Sequence, residues 1–261
     1  GLLKIPCAQE WMSLEMCRYF NDKMYEHAQK SGGRLIPLAV VPPYGTPENI
    51  AELKRCVNEL GMKSVQLSCH YRDAYLDDER FASFFEVLNE MEMTAYIHHT
   101  PVPVEYKTFA DYNLVRRFYG RLVDQGLAIA RELYSGFFTK YPKVKFVHSM
   151  LGGGFFAIMN VMMPQKPKNE SVNRFAGGND DVREQFKNNI YFEMSPAQSW
   201  GKLQLEFAVK AVGADHIVFG SSYPVRKEWL TDGIPFVKSL DISEEEKALI
   251  LGGNAERLYL Q

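Results

Sequence analysis

Ile217-Val218-Phe219-Gly220-Ser221-Ser222-Tyr223-Pro224 is an apolar run that stops in a polar turn. Three large apolar residues followed by glycine, two serines and a proline predict a short buried strand handing over to a loop. Residues 203–212, just before it, carry a helical pattern. The same order, helix then strand, runs back through the chain. Residues 190–193 form a strand, and so do residues 144–148, which enter Gly152-Gly153-Gly154. Residues 94–97 form a strand ending in His98-His99, residues 64–68 another, and residues 35–41 a sixth, closed by Pro42-Pro43.

Helical patterns fill the intervals. Residues 11–30 carry Trp11, Leu14, Tyr19, Phe20 and Met24 before Gly32-Gly33 stops them. Thr46 is placed to cap a helix that opens at Pro47 and shows Ile50, Leu53, Val57 and Leu60 on one stripe up to Gly61. Residues 77–90, 111–140 and 155–163 are expected to be helical, and residues 164–180 form a polar excursion. Near the C-terminus, Ser243 and Glu246 have capping-box spacing before a last helical stretch over 243–259.

Six strands alternating with helices predict a parallel sheet in one α/β domain covering residues 1–261. The length suits a (β/α)8 TIM barrel, which needs eight strands. At 46% hydrophobic residues the chain can fill a large core, and its net charge of −2 shows no basic block for nucleic acid. No apolar run reaches the roughly 18–20 residues that span a bilayer. Residues 2–8 are too short and too interrupted for a signal peptide. Four cysteines without C-x-x-C spacing predict reduced thiols and a cytoplasmic protein.

Several of these segments, in order, resemble the amidohydrolase-related family of metal-dependent TIM-barrel hydrolases and decarboxylases. Residues 217–224 are similar to its last strand, (I/L)-(L/F)-F-G-S-D-Y-P. Residues 51–85, with ELKRCVNELGMKSVQL and YLDDERF, are similar to a second motif. Ala95-Tyr96-Ile97-His98 resembles the strand that carries a metal-binding histidine. Residues 141–146 with the following glycines resemble Y-P-x-L-K-I-V-x-x-H-x-G-G, and residues 251–258 resemble I-L-G-G-N-A-E-R-L. The resemblance covers about residues 34–260 and is nearest to decarboxylases of aromatic or muconate-type carboxylates. It implies that the six strands are the third to eighth of the barrel. The first two then precede residue 1 or survive only as residues 2–8.

What the resemblance implies for the site is incomplete. His98 falls on a metal-ligand position. The position of a second ligand falls on Met150, and the aspartate of the last strand is replaced by Ser222. The H-x-H pair of the family's first strand occurs nowhere in this sequence. His148 lies two residues before Met150, so strand alternation is expected to turn it to the same face. The expected catalytic residues are therefore His98, His148 and Ser222. The expected substrate-binding residues are His70, Glu193 and Arg226, the last suited to a bidentate grip on an anion. His98 is the metal ligand if a metal is bound. His27 and His216 are expected at the surface. Tyr106, Phe109 and Tyr112 could form an aromatic lid, although packing is the simpler account.

The implied function is hydrolysis or decarboxylation of a small carboxylate-bearing molecule at the C-terminal mouth of the barrel. It is served by one divalent metal, zinc or manganese, or by a metal-free pocket. The alternative is a barrel that has lost catalysis and binds a small molecule or a partner chain. The expected ligand is small and anionic, neither nucleic acid nor membrane is expected as a partner, and the expected assembly is a homodimer.

Overall fold

The computed structural model of the protein describes residues 2–3, 12–163 and 181–260. The polar excursion at 164–180 and Cys7 lie outside the described residues.

Ten strands are described: β1 (Leu2–Leu3), β2 (Ile36–Pro37), β3 (Ala39–Val40), β4 (Ser64–Ser68), β5 (His70–Tyr71), β6 (Ala74–Tyr75), β7 (Thr94–His98), β8 (Lys145–His148), β9 (Ile190–Glu193) and β10 (Ile217–Val218). One parallel sheet runs in the order β10-β9-β8-β7-β4-β3, and β1 lies parallel to β2. Among the described residues, only the small β5–β6 hairpin is antiparallel. The strand expected over 35–41 divides into β2 and β3 around Leu38. The two pieces pair with different neighbours, β2 with β1 and β3 with β4. Taken as one strand, β2–β3 joins β1 to the sheet, so residues 2–3 add a seventh barrel strand to the six expected.

The helices are α1 (Leu14–Lys30), α2 (Pro47–Asn58), α3 (Ala82–Glu90), α4 (Arg121–Tyr134), α5 (Phe137–Lys140), α6 (Phe155–Met162), α7 (Asp181–Asn189), α8 (Ala197–Trp200), α9 (Lys202–Val212), α10 (Lys227–Thr231), α11 (Gly233–Lys238), α12 (Glu244–Ala248) and α13 (Asn254–Tyr259). Several start where local chemistry dictates. Thr46 Oγ1 accepts from the Asn49 N–H at 3.3 Å, and Ser243 and Glu246 cap each other reciprocally at 3.2 and 2.8 Å. Ser13 Oγ takes the Met16 N–H, so α1 begins three residues later than its apolar pattern suggested. The long helix expected over 111–140 is divided. A wider helical turn, Val115–Gly120, runs into α4, and the left-handed Gly136 separates α4 from α5. None of these helices is long and apolar enough to cross a membrane.

Strand alternation divides the core. Leu38, Tyr96, Val147, Tyr191 and Val218 pack together inside the barrel, with Leu258 and Tyr259 of α13 against them. The intervening residues Val65, Leu67, Ala95, Ile97, Phe146, Phe192 and Ile217 join the larger layer under the helices, with Leu53, Phe85, Leu88, Ile129 and Leu205. Hydrophobic burial on both faces is the main stabilising term. A polar network braces the β3 edge. The Asn21 side chain of α1 accepts from Val40 N–H at 2.8 Å and donates to its carbonyl at 3.1 Å. It also donates to the buried Glu52, which takes Arg18 and Arg55 as ion-pair partners. His216 is not at the surface as expected. It is buried, stacks on Tyr191 with ring centroids 4.9 Å apart, and has Nδ1 2.8 Å from the Ile190 carbonyl.

Candidate active site at the barrel mouth

Alternation carries the inner face upward from Tyr96 to His98, from Tyr191 to Glu193 and from Val218 to Gly220. His98 ends β7, and its ring stands 6.2 Å from that of Tyr96 and stacks on His99 at 4.1 Å. Its Nδ1 lies 2.7 Å from the His99 carbonyl oxygen. A carbonyl only accepts, so Nδ1 carries hydrogen, and Nε2 is the acceptor nitrogen of the neutral ring. The strand end is pinned on both sides. Cys69 N–H donates to the His98 carbonyl at 2.9 Å, and His99 N–H donates to Ser149 Oγ at 3.1 Å.

Glu193 ends β9 and is buried. Its Oε2 accepts from Ser195 Oγ at 2.7 Å and from the Tyr96 hydroxyl at 3.3 Å. Its Oε1 lies over Gly220, where a Cβ would sit 1.2 Å from it. Only glycine at 220 lets the carboxylate take this position. His98, Tyr96, Glu193 and Ser195 thus form one polar constellation. Tyr96, Ser195 and Gly220 were not singled out from sequence. The signal for Tyr96 was present, because it lies two residues before His98 on one strand.

The other expected residues fall elsewhere. His148 does not face the barrel. It packs with Phe146 on the outer face, where the Gln125 amide donates to Nδ1 at 3.0 Å and Glu132 Oε2 lies 3.0 Å from Nε2. Burial pushes the Glu132 carboxyl above the usual range, against the attraction of His148. Ser222 sits half-buried in the loop after β10 in the left-handed region, with φ 52°. Arg226 is exposed and lies over the Trp229 ring at 5.5 Å. His70 is buried on β5, with Nε2 3.1 Å from Asp124 Oδ2 and Nδ1 2.8 Å from the Arg72 carbonyl. Of the aromatic candidates, Phe109 packs edge-on against Tyr119, while Tyr106 and Tyr112 are exposed.

The glycine-rich turn has its own structural cause. Met150, Leu151, Gly152 and Gly153 all have positive φ. A Cβ on Gly153 would meet the Leu122 carbonyl at 2.0 Å, and Gly154 N–H donates to that same oxygen at 3.0 Å. These glycines let the turn press against the start of α4.

A catalytic divalent metal needs at least three protein donors. At the mouth the described residues supply one imidazole, His98, and one carboxylate, Glu193, while Met150 is a poor ligand for a hard cation. Among the described residues, the one group of three metal-type donors within mutual reach is Cys69, His70 and Asp124, none of which belongs to this constellation. The described mouth residues therefore do not fit a metal centre by themselves.

Known proteins share this architecture. The chain is 25% identical over 255 residues to 2-amino-3-carboxymuconate-6-semialdehyde decarboxylase of Dictyostelium discoideum, covering 93% of this chain and 66% of that protein. It is 24% identical to gamma-resorcylate decarboxylase of Polaromonas sp. strain JS666, covering 94% of this chain and 76% of that one. Among solved structures, 5-carboxyvanillate decarboxylase from Novosphingobium aromaticivorans, with bound manganese, superposes with a TM-score of 0.85 at 23% identity. That match covers 100% of this chain and 76% of the other. The corresponding enzyme from Sphingomonas paucimobilis gives 0.83 at 21% identity, over 99% of this chain and 77% of the other. These neighbours establish the TIM-barrel fold. The amidohydrolase family model matches residues 7–260, and the chain belongs to that family.

Proposed function

We propose that this protein is a decarboxylase of small carboxylate-bearing molecules, with hydroxylated aromatic acids as the first substrate class. The observation that carries this reading is the convergence of His98 and Glu193 on one inner face, linked through Tyr96. The named relatives, several of them decarboxylases of such acids, support it over a barrel without catalysis.

The chemistry asks little of the chain. A proton must reach the ring carbon that bears the carboxylate. The carbon–carbon bond then breaks, its electron pair restores the ring, and carbon dioxide leaves. In this scheme His98 gives the proton from Nε2 as the imidazolium, a form that imidazole reaches near neutral pH, while the Nδ1 hydrogen stays on the His99 carbonyl. Glu193 accepts a hydrogen bond from a ring hydroxyl and so orients the substrate. Burial of the site strengthens both interactions. The same reading carries a small anionic ligand and a homodimer, the latter read by sedimentation of the purified chain.

The test is carbon dioxide release from a panel of hydroxybenzoates with adjacent hydroxyl and carboxyl groups. Wild-type protein should turn over at least one of them, and His98→Gln should lower that rate by about 10²-fold or more. No release from any member of the panel, with no binding of these acids, would overturn the reading.

A further inference from the structure

A second cluster of buried donors lies behind the strand end that carries His98. Cys69 follows β4, His70 opens β5 and Asp124 sits in the first turn of α4. Asp124 Oδ2 is 3.1 Å from His70 Nε2 and 3.4 Å from Cys69 Sγ, and the three donor atoms lie within 4.8 Å of one another. A fourth atom, Thr100 Oγ1, is 2.7 Å from Nε2 and 3.2 Å from Oδ2. All four residues are buried.

The outward atoms of the same side chains are held as metal ligands usually are. His70 Nδ1 is 2.8 Å from the Arg72 carbonyl, and Asp124 Oδ1 accepts from the Tyr75 hydroxyl at 2.5 Å. Outer partners of this kind fix a ligand's tautomer and direction. We propose that Cys69 Sγ, His70 Nε2, Asp124 Oδ2 and Thr100 Oγ1 form a closed structural site for one zinc-like divalent cation. The donor set, one thiolate, one imidazole and two oxygens, suits a tetrahedral ion of borderline softness.

Without an ion, Nε2 faces the Asp124 carboxylate and the Val102 carbonyl at 3.1 Å, both acceptors. Nδ1 faces another carbonyl and carries hydrogen, while the atom nearest Nε2, the Thr100 hydroxyl oxygen at 2.7 Å, can donate or accept. A divalent ion bound here would take Cys69 as the thiolate and His70 through an unprotonated Nε2, so its binding would release at least one proton. The ion would fasten β4, the segment after β7 and α4 together directly behind His98.

The experiment is a cobalt(II) titration of the purified full chain after chelation and dialysis. One equivalent should produce a near-ultraviolet sulfur-to-cobalt charge-transfer band, release protons, raise the melting temperature and be displaced by zinc. Cys69→Ser should abolish the band, His70→Gln should abolish or shift it, and His98→Gln should leave it intact. The absence of a thiolate band in wild type at saturating cobalt would overturn the site, because the contacts would then be a plain histidine–carboxylate pair. A band that survives both Cys69→Ser and His70→Gln would also overturn it. Neither result depends on any decarboxylase activity.

Discussion

The Glu193 carboxylate occupies the space directly above Gly220, so that a Cβ at 220 would lie 1.2 Å from Oε1. Gly220→Ala must therefore push Glu193 away from Ser195 and Tyr96. We expect a stability loss of about 1–3 kcal/mol by denaturant melting, as for other overpacked sites. Turnover should fall on the order of 10²-fold, because Glu193 no longer orients the substrate. Gly252→Ala, where nothing lies within 4 Å of the added Cβ, is the matched control and should change neither.

Tyr96→Phe removes one of two hydroxyl donors on Glu193 and leaves Ser195 in place. The expected cost is about 1 kcal/mol, the net value of one buried hydrogen bond. A loss above three times that figure would mean that Tyr96 holds more of the barrel interior than this contact. Turnover should fall with little change in KM, since Tyr96 acts through the carboxylate.

Glu52 tests the brace on β3. Burial opposes its ionisation, but hydrogen bonds from Arg55 and Asn21 outweigh it and hold the carboxyl below the usual range. A depressed folded pKa adds stability that is present above the unfolded value near 4.3 and lost as pH falls through the folded one. Glu52→Gln should cost about 1–3 kcal/mol at neutral pH, discounted because Arg18 and Arg55 are partly solvated. The difference from wild type should shrink in acid, as read by chemical denaturation across pH.

Glu132 should show the opposite sign. It is raised by burial, so its contribution is fully present below the ordinary glutamate value near 4.3 and lost as pH rises through the folded pKa. Glu132→Gln should match wild type within about 1 kcal/mol in acid and become the more stable protein as pH rises. A variant that is less stable at every pH would show that the His148 contact outweighs burial.

Local chemistry was legible in the sequence wherever few residues decide it. Thr46 with Pro47 and Ser243 with Glu246 cap their helices as expected, and His98 and Glu193 end their strands on the inner face. His148 was misplaced because a period of two was carried from Met150 back into the strand. β8 ends at His148 and Met150 lies in a left-handed turn, so the alternation does not pass between them. The inner position of β8 is Val147. Asp124 could not be paired with His70 from sequence, since 54 residues and a change of element separate them. The strand at Leu2–Leu3 is only two residues long and is defined by its partner β2 rather than by any pattern of its own.

The most direct test of the central claim is the rate of carbon dioxide release by wild type, His98→Gln and His148→Gln on the same hydroxybenzoate, with folding checked by near-ultraviolet circular dichroism. The mouth constellation predicts that His98→Gln loses about 10²-fold or more. His148→Gln, altered on the helix-facing side, should keep turnover within about threefold of wild type. Full activity in a folded His98→Gln, or a selective loss in a folded His148→Gln, would contradict it.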